Sequence, residues 1–143
     1  MSRPARSPLS WRAALAVAVL ALAGAASATL IDQPGSAGRA YLNLRAAAER
    51  ATTVDAVLPL LSVNYRRVVS NLPRAERDAW LARFKRVPPA PVKLQAQAQS
   101  GDRCTLGAVV RDATHVKWSG RVEMVREGGA WKLADEAWTT ESR

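Results

Sequence analysis

Apolar residues recur along this chain in two different periods, and the change from one to the other divides it. Between residues 39 and 87 the spacing is three and four: Tyr41, Leu44, Ala48 and Ala51, then Val54, Val57, Leu58 and Leu61, then Trp80, Leu81, Phe84 and Val87. That spacing gathers side chains on one face of a helix. From Val92 the period drops to two. Val92, Leu94, Ala96 and Ala98 alternate with Lys93, Gln95, Gln97 and Gln99. Cys104, Leu106, Ala108 and Val110 make a second run, Val116, Trp118, Val122 and Met124 a third, and Trp131, Leu133 and Ala137 a fourth. Alternation is the mark of a strand with one buried face.

Turn and breaker residues set the limits. Residues 29–38 (TLIDQPGSAG) read as a flexible lead-in, since Pro34 and Gly35 break regular structure. Thr52 and Thr53 offer a cap for a second helix. Pro59 lies inside its stripe, so 53–70 is predicted to be one bent helix or two short pieces. Pro73 suits the first turn of a third helix over 75–87, which Pro88, Pro89 and Pro91 end. Ser100-Gly101-Asp102, Asp112-Ala113-Thr114 and Glu127-Gly128-Gly129 separate the strands. Ser119-Gly120 predicts a bulge or sharp bend in the third. Trp131 and Trp138 fall on opposite parities, which predicts a second irregularity near Asp135. Helices followed by antiparallel strands define an α+β chain, with the helices covering one face of a curved sheet.

Composition changes this picture chiefly at the N-terminus. Residues 1–28 have the three parts of a signal peptide: Arg3, Arg6 and Arg12, the apolar run AALAVAVLALAGA over 13–25, and Ala26-Ser27-Ala28 as cleavage site. The expected product is an exported chain, periplasmic or secreted, that starts at Thr29 and keeps no stable membrane insertion. An uncleaved anchor is the alternative. The formal charge of +9 falls to +6 without the leader, 18 basic residues against 12 acidic. The basic residues are scattered, and the densest group, Arg83-Lys85-Arg86, shares a helix with Trp80 and Phe84, where long basic side chains cover a core edge. Nucleic acid is therefore not an expected partner. One cysteine permits no internal disulfide, and Cys104 alternates with core positions, which suits a buried small apolar role.

The run 120–133, GRVEMVREGGAWKL, resembles the closing hairpin of nuclear transport factor 2-like domains, also called cystatin-like or ketosteroid isomerase-like. The stretch 54–93, with Leu72-Pro73, Glu76-Arg77 and Val92-Lys93, is similar to the helical part of uncharacterised exported bacterial members. The resemblance implies N-terminal helices packed on a strongly curved, cone-like antiparallel sheet of about four strands, within residues 39–143. It also implies a pocket at the open end of the cone and a homodimer formed through the sheet. Its enzymes need a pocket Asp and a Tyr/Asp pair; no such set is placed here, so no catalytic residue is assigned.

Candidate chemistry is sparse. His115 is the only histidine, beside a turn, with no ligand spacing around it, so no metal and no cofactor is expected. Tyr41, Tyr65, Arg66, Trp118 and Trp138 are the ligand-pocket candidates, with Asn64 as a further polar group. Trp80 and Trp131 read as core filling. These features favour a non-enzymatic domain that binds a small ligand or a partner protein. The alternatives are an isomerase or hydrolase using Asp135 or Asp55 with a helical Tyr, and an accessory that binds cell-envelope anions through its charge.

Overall fold

The computed structural model describes residues 31–89 and 91–141; the expected signal peptide lies outside them. Three helices, α1 (Ala37–Arg50), α2 (Val63–Ser70) and α3 (Arg74–Arg86), precede four strands, β1 (Lys93–Ser100), β2 (Arg103–Arg111), β3 (Lys117–Glu127) and β4 (Ala130–Thr140). Of the expected lead-in, 31–36 form turns and Ala37 and Gly38 already belong to α1. Ile31 is buried, and Ser36 caps α1 by accepting from the Arg39 backbone N–H.

The bent helix predicted for 53–70 is two short 3-10 turns, Val54–Ala56 and Leu58–Leu60, followed by α2. Pro59 explains the break, because it lacks the N–H an α-helix needs there. Thr53 makes no side-chain cap, whereas Ser62 caps α2 through the Tyr65 N–H. The stripe still reaches the core: Val54, Val57 and Leu61 are buried. Sheet residues complete the N-terminus of α2. Ser62 N–H donates to the Leu133 carbonyl and Val63 N–H to the Glu127 carboxylate, an anion where the helix end is positive.

The strands pair antiparallel in chain order, β1-β2-β3-β4. Two-residue turns at Gly101-Asp102 and Gly128-Gly129 join the outer pairs; φ is 58° and 79° at the two glycines of the second, the backbone a tight hairpin demands. The expectation of a strongly curved, cone-like sheet is corrected here. The sheet is open and not strongly curved. Its central ladder runs without a shift from Arg103↔Val125 to Arg111↔Lys117, so Ser119-Gly120 lies in regular register and supplies no bend.

Irregularities fall on the outer strands instead. In β1, Leu94 pairs with Ala108 and Ala96 with Gly107, leaving Gln95 extra. The strand beyond changes parity. Gln97 faces Leu106 on the helix side and Ala96 turns outward, the reverse of what alternation predicts for residues 96–99. In β4, Met124 pairs with Leu133 and Glu123 with Asp135, so Ala134 is the extra residue. This is the irregularity expected near Asp135, and it brings Trp131, Leu133, Glu136 and Trp138 onto one face.

That face and the helices enclose the core. Tyr41, Leu44, Val57, Leu61, Leu106, Val122, Met124 and Leu133 are fully or almost fully buried, and each buried Leu contributes roughly 1.5–3 kcal/mol. Cys104 is buried as expected, and burial pushes its thiol pKa up.

Gly120 has a packing role. It pairs with Trp138, and a Cβ on it would stand 2.5 Å from the Trp138 ring. The indole lies flat against the bare backbone. Gly120→Ala is expected to cost about 1–3 kcal/mol, as overpacking does, and to shift Trp138 emission in urea unfolding followed by fluorescence. Wild-type stability in the variant would mean that the indole does not lie there.

Candidate functional site

The second bulge decides which acidic residue points inward. Asp135 pairs with Glu123 on the outer face, whereas Glu136 pairs with Val122 and continues the helix-facing row of Leu106 and Val122. A carboxylate thus stands among core side chains, 8 % exposed. Burial of this kind requires partners.

It has three. Tyr41 Oη donates to Oε2 at 2.7 Å, Trp138 Nε1 donates to the same oxygen at 3.4 Å, and Arg45 Nη1 reaches Oε1 at 3.3 Å. Tyr41 and Arg45 lie four residues apart on α1, one turn along the same face. The Arg45 side chain, 9 % exposed, is held in turn by the carbonyls of Phe84 (2.7 Å) and Pro88 (3.3 Å). The first of these belongs to the last turn of α3, where carbonyls lack helical partners and a cation is favoured. Its guanidinium also stands 4.5 Å from the Phe84 ring centroid.

Burial pushes the Glu136 pKa up, against the opposing pull of Arg45, Tyr41 and Trp138. Burial, with the Glu136 charge beside it, likewise drives the Tyr41 phenol far above its ordinary value of 10.0.

Above Glu136 opens a recess of ≈ 250 Å³ lined by Tyr65, Trp80, Arg83, Phe84 and Trp138. Trp80 stacks on Phe84 at 4.8 Å and 14°, and Tyr65 meets Trp80 edge-on at 5.9 Å. Such aromatic pairs contribute about 0.5–1.5 kcal/mol each beyond area burial. Arg83 is exposed at the rim and makes no ion pair among the described residues.

Two other depressions carry less chemistry. One of ≈ 360 Å³ between α1 and the proline segment has mainly aliphatic walls, with Glu49 at its edge. A broad one of ≈ 880 Å³ lies around Arg111, His115 and Lys117, where Lys117 is paired with Glu141.

The sequence-derived candidates divide. Tyr65 and Trp138 line the recess, and Tyr41 sits beneath it with its hydroxyl on Glu136. Arg66 is exposed on α2 and is not among the lining residues. Trp118 lies on the last row of the sheet, its indole N–H donating to Asp112 at 3.1 Å. Asp112 also accepts from Thr114 and Val116, and these bonds hold its pKa down to about 2. Asn64 and His115 are exposed, His115 in a turn at φ 62°. Asp55 is exposed on its 3-10 turn. Residues 80, 83, 84, 45 and 136 were not legible as a site; the parity break before Trp138 was the one signal for Glu136.

Among the described residues, no group of three or more His, Cys, Asp or Glu is placed to hold a metal ion, and no helix is long and apolar enough to cross a membrane. No family model and no curated protein matches the chain. Among solved structures, it is distantly similar to a de novo designed β-sheet protein of cystatin fold, with 17% identity, 48% of this chain and 90% of that one covered, and a TM-score of 0.36. It is also similar to an NTF-2 like protein of unknown function from Silicibacter pomeroyi, with 16% identity, 46% and 57% covered, and a TM-score of 0.36. A SEC-C motif containing protein from Rhodopseudomonas palustris gives 13% identity, 68% and 70% covered, and a TM-score of 0.43. Likeness at this level is a distant resemblance to the cystatin and NTF2-like arrangement of helices on a sheet. It assigns no family.

Glu136→Ala leaves Arg45, Tyr41 and Trp138 without their acceptor and is expected to cost about 3 kcal/mol, as broken buried pairs do. Glu136→Gln keeps an acceptor. As pH rises past 4.5, the ordinary value for the wild-type carboxyl, the unfolded chain releases its proton before the folded one. Wild-type stability must then fall relative to Glu136→Gln. Denaturation curves of both proteins between pH 4 and 8 measure this; a gap moving the other way would show that pairing outweighs desolvation.

Proposed function

We propose that this chain is an exported, non-enzymatic domain that binds a small ligand in the recess between α2, α3 and β4. One observation carries the reading: four aromatic side chains surround a buried acceptor, Glu136, beside Arg83, a cation with no ion pair among the described residues. A few polar groups set in aromatic walls are the common form of a ligand site. Three donors hold Glu136 in place, which suits a fixed acceptor for a ligand. Export rests on the N-terminal pattern of basic residues, apolar run and Ala26-Ser27-Ala28.

A catalytic reading has one observation in its favour, the upward shift of a carboxyl lining an aromatic recess. The base would then be Glu136 rather than Asp135, which faces outward, or Asp55, which does not line the recess.

Amide and indole NMR shifts on adding a panel of single-ring compounds test the binding reading. Shifts are expected to cluster on Tyr65, Trp80, Arg83, Phe84 and Trp138. Shifts confined to the outer face of the sheet would sink it and favour a protein partner. For export, the mass of the chain recovered outside the cytoplasm should match residues 29–143; a mass including residues 1–28 would contradict cleavage.

A further inference from the structure

Charge and size narrow what the recess can hold, and the argument rests on the reading that it is a ligand site. Its volume of ≈ 250 Å³ is below the roughly 300–1,000 Å³ typical of sites for drug-sized ligands, which suits an occupant of about one ring. Tyr65, Trp80, Phe84 and Trp138 line it, so its wall is largely aromatic. Planar ligands match it.

The charges that line this space are Glu136 and Arg83; Arg45 reaches Glu136 from the neighbouring depression, and Asp135 is near enough to act on Glu136 and Tyr65 from behind the strand. Glu136 is already compensated by Arg45 at 3.3 Å. Arg83 is not compensated, and its planar fork of donors suits a carboxylate. At the inner end, Glu136 Oε1 accepts one long bond, from Arg45, although a carboxylate oxygen has two lone-pair directions. A ligand O–H or N–H reaching inward would complete it.

We infer that the recess selects a single-ring aromatic monoanion whose carboxylate pairs with Arg83 at the rim and whose far end donates a hydrogen bond to Glu136. A cationic ring is disfavoured by Arg83, and a neutral ring forfeits the rim contact.

Four probes separate the possibilities: 4-hydroxybenzoate, benzoate, phenol and benzylammonium, each titrated against the wild type by NMR and tryptophan fluorescence. 4-Hydroxybenzoate should bind tightest. Benzoate, lacking the inner donor, and phenol, lacking the anion, should each bind more weakly, and benzylammonium should bind least. Arg83→Ala should weaken 4-hydroxybenzoate about tenfold or more, the loss expected for a charged hydrogen bond, and leave phenol unchanged. Because Arg83 is exposed, this variant tests the site without disturbing the core.

Phenol or benzylammonium binding as tightly as 4-hydroxybenzoate, or Arg83→Ala binding it like the wild type, overturns the anion class while leaving a ligand site in place. Failure of all four probes to move Tyr65, Trp80 or Trp138 signals overturns both the class and the binding reading beneath it.

Discussion

The contact between Arg45 and Glu136 is the one on which the rest depends. It joins the first helix to the last strand, and through the carbonyls of Phe84 and Pro88 it also fixes the end of α3. Two charges this deeply buried add little net stability, because the cost of removing them from water offsets their attraction. The upward shift of the Glu136 pKa puts the balance on the side of desolvation. What the pair supplies is geometry. A guanidinium has fixed donor angles, so three elements meeting on one fork have little freedom to slide.

The bulge at Ala134 makes that contact available. Strand side chains alternate, so one extra residue exchanges the two faces of everything that follows. Without it, Asp135 and Ala137 would point at α1, while Glu136 and Trp138 would point at solvent. Gly120 then lets the inward indole lie close to the sheet. The recess is therefore a product of one extra residue in β4 and a missing side chain in β3, with α3 contributing its opposite wall.

Much of the architecture was legible in the sequence. Periodicity separated helices from strands, Pro73 and the 88–91 prolines bracketed α3, and the glycine turns set the hairpins. What periodicity cannot convey is where a strand gains a residue. The Gln95 bulge inverts β1 at the start of a regular alternation of Gln and Ala, and nothing in that repeat marks it. Ser119-Gly120 misled in the opposite sense: the glycine answers a packing need across the sheet, and the expected curvature did not follow. Of the recess lining, Tyr65 drew notice as a tyrosine on the bent helix and Trp138 as a tryptophan off the parity of Trp131. Arg45 and Glu136 did not. They lie 91 positions apart among many similar charges, and only the tertiary structure pairs them. The bland reading of Trp80 as core filling was sound for its burial, yet the same ring also forms the recess wall.

That separation bears on when the site can exist. The contacts of Glu136 with Tyr41 and Arg45 close loops of 95 and 91 residues, and closures of that span are late and slow events in folding. Glu136 is also the eighth residue from the C-terminus. A ribosome that has synthesised all three helices and most of the sheet has still made no counter-charge for Arg45. The final packing of α1 on the sheet therefore waits on β4, and until that strand is made the growing chain carries Arg45 without its carboxylate.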